Sequence, residues 1–197
     1  MAAVDDAPAD EGRLIGSVTD VPPTLLTPRL VLRPLVESDF DFLAVLLGDP
    51  RVMRHYPAPL SREEARGWLE RQWARYAADG HGFWLVADRG DGAPLGQVGL
   101  LIQRIAVWDD MAVPEIGYLL HADHWGRGYA TEAACAVRDW AFDVRGYPRV
   151  VSLIRPGNAA SQDVARRLGL RVVAETLRAG LAHDVWALDA PPRPSED

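Results

Sequence analysis

The sequence predicts a mixed α/β fold in which helices pack on a central sheet within one domain. Three observations predict it. Short stretches alternate apolar and polar residues, as half-buried strands do, and two strand-like runs flank a hairpin turn. Other stretches carry apolar residues at helical spacing behind recognisable start signals. Late in the chain a strand (Glu115-Ile-Gly-Tyr-Leu-Leu120), a glycine-bearing turn (Trp125-Gly-Arg-Gly128) and a helix-like run (Thr131–Val144) follow one another directly. At 197 residues the chain is long enough to bury a real core in one such domain.

The elements read as follows. Arg29–Leu35 alternates as a strand. Glu37-Ser-Asp39 opens a helix capped by Ser38 or Asp39, with Phe40, Leu43, Leu46 and Leu47 on one face, and Asp49-Pro50 ends it. Ser61-Arg-Glu-Glu64 has the capping-box pattern and opens a second helix through Ala77. Its stripe of Trp68, Leu69, Trp73 and Tyr76 is expected to be core packing rather than a substrate groove. Gly80-His-Gly82 closes that helix. Phe83–Ala87 and Leu95–Leu100 are strands on either side of the turn Asp88-Arg-Gly-Asp-Gly92. Val107–Pro114 reads as a loop. In the late helix, Ala130, Ala134, Val137 and Ala141 recur at helical spacing and should face the sheet, and Gly146-Tyr-Pro148 breaks it. Val150–Ile154 is a buried strand, and Asn158 begins a helix that Gly169 ends as a left-handed cap. Val172–Ala174 and Val185–Leu188 are short closing strands.

Composition excludes several classes of function. Of the residues, 48% are apolar, yet no run approaches the roughly 18 that a membrane span needs. A net charge of −7 argues against general nucleic-acid affinity, which needs basic surface to displace counterions. The single cysteine, Cys135, rules out an internal disulfide, fits a reducing compartment, and reads as a small core residue. Histidines 55, 81, 121, 124 and 183 show no spacing typical of a metal site. Residues 1–22 are expected to be a disordered lead-in, 23–189 the domain, and 190–197 a flexible tail. The start lacks the basic-then-apolar layout of a signal peptide, so the expected location is cytoplasmic.

The strand–turn–helix at Glu115 to Val144 makes an anion site. The first turn of a helix has backbone N–H groups with no partner inside the helix, and its dipole adds partial positive charge there. Gly126 and Gly128 let a ligand come close to the main chain. A phosphate or pyrophosphate suits such a place. Three phosphate loops compete for the reading. The Walker loop needs a lysine, and this chain contains none. The dinucleotide fingerprint needs a third glycine in an early βαβ unit, whereas Gly126-Arg-Gly128 is followed by Tyr129, Ala130 and Thr131 and lies late in the chain. The third reading fits. Trp125-Gly-Arg-Gly-Tyr-Ala130 resembles the Gln/Arg-x-x-Gly-x-Gly/Ala loop of the GNAT superfamily of acyl-CoA-dependent N-acyltransferases. Gly128 and Ala130 stand at its two small positions, and Trp125 departs from the usual Gln or Arg.

The resemblance runs from about Leu25 to Leu188 with the elements in family order. Leu26-Thr-Pro-Arg-Leu-Val-Leu-Arg-Pro34 with Asp39 resembles the opening of the ribosomal-protein-alanine and -serine N-acetyltransferase (RimJ/RimL-like) branch. Phe83–Ala87 and Leu95–Leu100 resemble its central strands. Asn158-Ala-Ala-Ser161 and Leu168-Gly-Leu170 resemble its later helix, where Phe is commoner than Leu170. It implies the GNAT fold: a mixed, mostly antiparallel sheet of about seven strands, flanked by helices and split at an acyl-CoA cleft. It also implies acetyl transfer from acetyl-CoA to a primary amine, a protein N-terminus or a small molecule, by direct attack in a ternary complex and without a metal. Homodimers are common in that branch.

Such chemistry needs a base for the amine's proton, a donor for the oxyanion and a proton for the departing thiolate. Glu115, on the strand beside the cleft, is the candidate base, with a salt-bridged strand glutamate as the plain alternative. The resemblance has backbone amides near Tyr118, Leu119 and Leu120 bind pantetheine and polarise the thioester. It has Trp125, Gly126, Arg127, Gly128, Tyr129, Ala130 and Thr131 hold the pyrophosphate. It also puts Asn158 on the cofactor arm and Ser161 at the sulfur, though either could instead be a helix cap. Many of these enzymes have an acidic tyrosine four residues before the helix-ending glycine. That position is Ala165 here, which leaves Ser161 or water to protonate the thiolate. A non-catalytic acyl-CoA-binding regulatory domain is the alternative, and a nucleotide-binding module a third reading that the absent lysine disfavours.

Overall fold

Strand alternation, capping boxes and left-handed glycines produce twelve main elements among the described residues, which are 21–108 and 111–192 of a computed structural model. The lead-in expected before residue 21 and the end of the expected tail lie outside them. The strands are β1 (Leu25–Leu26), β2 (Leu30–Pro34), β3 (Phe83–Asp88), β4 (Pro94–Ile105), β5 (Met111–Leu120), β6 (Arg149–Ile154), β7 (Arg171–Arg178) and β8 (Leu181–Asp189). The helices are α1 (Phe40–Gly48), α2 (Arg62–Asp79), α3 (Tyr129–Asp143) and α4 (Ala159–Arg167). The strands form one sheet in the order β1-β2-β3-β4-β5-β6-β8-β7. Every neighbouring pair is antiparallel except β5 and β6, which run parallel. The strand beyond the expected seven is the two-residue β1.

Period-two alternation sends side chains to two layers. Leu30, Leu32, Trp84, Val86, Ile116, Val150, Ile154 and Trp186 pack against Ala134, Val137 and Ala141 of α3 and Val164 and Ala165 of α4. On the other face Leu35, Phe83, Leu85 and Leu101 pack against Leu43 and Leu46 of α1 and Leu69 of α2. The α2 stripe is core: Leu69 and Tyr76 are buried, and Trp68 and Trp73 lie partly buried against the same cluster. At the start of α2 the Glu64 amide donates to the Ser61 hydroxyl (3.2 Å) and Glu64 accepts from the Ser61 amide (2.7 Å), as the capping box requires.

Three local readings are corrected. Met111–Pro114 is strand, not loop, because the long β4 pairs residues 102 to 105 with it; no register position pairs Pro114 with β6, so its missing N–H costs no bond there. The closing strands are longer than expected, joined by Ala179-Gly180, both at positive φ, in a two-residue hairpin. Polar residues on both faces, Glu175, Thr176, Arg178, His183 and Asp184, hid their length. Asp39 precedes α1, but its carboxylate turns back to the Val36 amide (2.9 Å) and Arg33 (2.6 Å) rather than capping the helix.

Candidate active site

The sheet opens between β5 and β6. These strands share one register position, Glu115 beside Val151, while β4 and β5 pair along their length. Two side chains span the gap in place of a ladder. The Ser152 hydroxyl donates to the Ile116 carbonyl (2.8 Å), and the Leu153 amide donates to Glu115 Oε1 (3.3 Å). Beyond them the edge of Gly117 to Leu120 that faces β6 has no strand partner, so the N–H groups along it can bind something else. The Tyr118 hydroxyl crosses the opening to donate to the Ser161 carbonyl in α4 (2.9 Å). Burial pushes the Tyr118 phenol upward, so it stays protonated.

The glycine loop continues from the end of β5. The Trp125 indole N–H donates to the Leu120 carbonyl (2.8 Å), which pins the loop to the strand, and the Arg54 guanidinium lies 5.2 Å over its ring. Tryptophan at this position thus serves as an anchor. Gly126 and Gly128 have φ of 73° and 79°, and Gly128 is the residue before α3. The Glu132 amide is the first in α3 with a partner, the Gly128 carbonyl (3.0 Å). Backbone N–H groups of residues 126 to 131 donate to no described residue, and residues 126 to 128 are exposed. A Cβ on Gly128 would meet only Arg29 Nη2, at 3.5 Å. These N–H groups fit a pyrophosphate.

Arg29, at the foot of β2, braces this loop. Its Nε and Nη2 each lie 2.6 Å from Glu132 Oε2, and its Nη1 donates to the Arg127 carbonyl (3.0 Å). The guanidinium also sits 4.6 Å over the Tyr129 ring. Glu132 further accepts from the Thr27 hydroxyl (2.6 Å) and the Arg29 amide (2.9 Å). Burial opposes the charge on Glu132, but these donors and Arg29 together outweigh it and hold the carboxyl below its ordinary value. Sequence reasoning assigned neither residue a part. They are 103 positions apart, so no local pattern links them.

On the α4 side, Asn158 Oδ1 accepts from the Ser161 amide (3.2 Å), so Asn158 is the cap of α4. The Ser161 hydroxyl bonds to no described residue. Glu115 Oε2 pairs with Arg178 Nη1 of β7 (3.2 Å); its side chain is 13% exposed. The candidate base is thus also a salt-bridged strand glutamate. Tyr56, from the α1–α2 connection, is within electrostatic reach of this pair. Desolvation of its hydroxyl, and then the Glu115 charge, push it up to about 12. The structure therefore brings Glu115, Tyr118, the glycine loop, Asn158 and Ser161 around one opening.

Elsewhere, an open groove of about 670 Å³ lies between Thr24–Pro28 and α3, apart from the β5–β6 opening. Cys135 lines it, and burial raises its thiol, which disfavours the reactive thiolate. Among the described residues no group of three or more His, Cys, Asp or Glu is placed to hold a metal ion, and no helix is long and apolar enough to cross a membrane.

Residues 29–171 match the family model of the acetyltransferase (GNAT) domain. The chain belongs to the GNAT acetyltransferases. This acetyltransferase is 36% identical over 157 residues to the uncharacterized protein YkkB of Bacillus subtilis, covering 78% of this chain and 88% of that one. An acetyltransferase crystal structure from Agrobacterium tumefaciens superposes with a TM-score of 0.72 at 32% identity, over 91% of this chain and 99% of its own. The fold is shared with Mycobacterium smegmatis RimJ, solved in complex with CoA-disulfide, at a TM-score of 0.65 and 18% identity, over 87% of this chain and 90% of that one.

Proposed function

We propose that this acetyltransferase moves the acetyl group of acetyl-CoA onto a primary amine, a protein N-terminus or a small molecule, by direct attack in a ternary complex. The observation that carries the reading is two sets of N–H groups without partners among the described residues, one on the open edge of β5 and one from residue 126 through the first turn of α3, joined by a short connection whose own amides are bonded locally. One set suits a pantetheine arm and the other a pyrophosphate. That RimJ, which shares the fold, was solved in complex with CoA-disulfide supports CoA as the cofactor.

Acetyl-CoA would supply the activated acetyl group, and the chain's residues supply position and protons. Amides of Tyr118, Leu119 and Leu120 orient the pantetheine and polarise the thioester carbonyl. Trp125, Gly126, Arg127, Gly128, Tyr129, Ala130 and Thr131 form the phosphate cradle. Glu115, held by the Leu153 amide and Arg178, faces the α1–α2 side and accepts the amine's proton, directly or through water. Asn158 keeps its amide nitrogen for the cofactor arm while its oxygen caps α4. Ser161, whose hydroxyl has no described partner, stands at the thiolate.

Calorimetric titration with acetyl-CoA, CoA and ATP tests the cofactor, and CoA-thiol release with an amine panel tests the reaction. Tight binding of both CoA species, weak ATP binding and turnover lost in Glu115→Gln are expected. No CoA binding overturns the reading. CoA binding with no turnover by the native chain would instead return it to a regulatory acyl-CoA-binding domain.

A further inference from the structure

The sheet face that carries Glu115 also carries a cation that no described residue balances. Glu115, Gly117 and Leu119 of β5 point toward α1 and α2, as the packing of Leu119 shows. Val151 and Leu153 of β6 share that face with Val185 of β8, and cross-strand register adds Thr176, Arg178, Leu181 and His183. Asp184 alternates to the opposite face, where its partner Ile154 lies in the α3–α4 core. Arg178 is paired with Glu115.

Arg155 follows directly on β6, and its position is different. Its guanidinium makes no hydrogen bond or ion pair with a described residue, and its Nε is shut off from solvent without an acceptor. It lies within electrostatic reach of His55 in the α1–α2 connection and of His183 on β8. After burial, the first cause, Arg54 and Arg155 hold His55 below its ordinary value. His183 is held down likewise by burial, with Arg155 and then Arg178 adding to it. Arg54 is spent on the His55 ring, to which its Nε donates (3.2 Å), and on the Trp125 face. Neutral histidines leave Arg155 without a counter-charge among the described residues at this end of the opening. A guanidinium presents donors in a planar fork that matches carboxylate or phosphate oxygens. The Nε–H that solvent cannot reach is costly to leave without an acceptor, and the two Nη groups, which no described residue engages, are the donors that an entering oxyanion meets.

We propose that the acceptor carries an anionic oxygen group, carboxylate or phosphate, near its amine, and that Arg155 binds this group. The inference rests on the reading that an amine enters over Glu115. It narrows the acceptors to amino acids, peptides whose carboxylate lies close to the amine, and phosphorylated amines.

Paired acceptors that differ only in the anionic group provide the test. Alanine is compared with alaninamide, glycylglycine with its C-terminal amide, and phosphoethanolamine with ethanolamine, at saturating acetyl-CoA, by release of the CoA thiol. The native enzyme should favour the anionic member of a pair by about 10- to 100-fold in kcat/KM, the worth of a charge-assisted contact. The phosphate pair against the carboxylate pairs identifies the oxyanion. Arg155→Gln should erase the preference through the acceptor's KM, and Arg155→Lys should keep part of it, which a merely misfolded variant would not. Equal use of both members, a preference that Arg155→Gln retains, or a loss that falls on the KM of acetyl-CoA overturns the assignment and leaves the amine reading standing. If acetyl-CoA binds but no member of any pair is acetylated, the amine reading fails and this inference fails with it.

Discussion

Arg29→Ala should weaken CoA binding from outside the cradle itself. The substitution removes two 2.6 Å contacts to Glu132 and a 3.0 Å hydrogen bond to the Arg127 carbonyl. The Arg29 side chain is 49% exposed, so solvent screens the ion pair and its worth is discounted to about 0.5–1 kcal/mol. The bond to the loop carbonyl adds about 1 kcal/mol. If most of that sum is needed to hold the loop in its ligand-ready form, the Kd for CoA rises about 10- to 30-fold, at 1.4 kcal/mol per tenfold. A second effect has the same sign. Without Arg29 the Glu132 carboxylate, 16% exposed, faces an incoming pyrophosphate at the α3 N-terminus uncompensated. Glu132→Gln in the Arg29→Ala background should therefore recover part of the affinity. The deficit of the single variant should also shrink as salt rises from 0.02 to about 0.3 M, where the Debye length falls well below 10 Å. Calorimetry with CoA at the two ionic strengths, with a melting curve for each variant, measures both effects. Binding within twofold of native in Arg29→Ala, or a double variant weaker than the single one, would refute the brace.

Two further outcomes follow from local geometry. Gly128→Val has room, since its Cβ would meet only Arg29 Nη2 at 3.5 Å, but at φ 79° a side chain costs about 1–2 kcal/mol, more when β-branched. The loop then either bears the strain or turns its amides away, so CoA affinity should fall about tenfold or more while far-ultraviolet dichroism stays native; unchanged affinity would mean the pyrophosphate binds elsewhere. His81 is fully buried, bonded to the Leu100 carbonyl (2.7 Å) and the Tyr147 hydroxyl (2.8 Å), and burial lowers its pKa from 6.5 to about 4. The unfolded chain therefore binds a proton that the folded one refuses. Its contribution is complete above pH 6.5 and is lost as pH falls through 4, up to about 3 kcal/mol in all. Urea melts between pH 7 and 4 should show a shallower loss in His81→Gln than in the native chain, and equal slopes would contradict the assignment.

Much of this architecture is local and so is legible in one dimension. The Ser61–Glu64 capping box, the turn between β3 and β4, the left-handed glycines and the alternation of β2 each act over a few residues. The order of strand, glycine turn and helix from Glu115 to Asp143 is local for the same reason. The sequence by itself therefore determined the element order, the GNAT family and the strand, glycine turn and helix that form the proposed phosphate loop. Pro114 and the polar residues Glu175, Thr176 and Arg178 of β7 misled the reading, because tertiary pairing with β4 and β8 decided those strands against their local signals. The charge network was out of reach altogether. Glu115 meets Arg178 across 63 positions, and Arg29 meets Glu132 across 103. Arg155 is one of 21 chain cations until folding shows which of them lack a counter-charge. Backbone conformation is set by near neighbours and can be read residue by residue. A charge's environment is set by whatever the fold packs around it, and only the tertiary structure decides that.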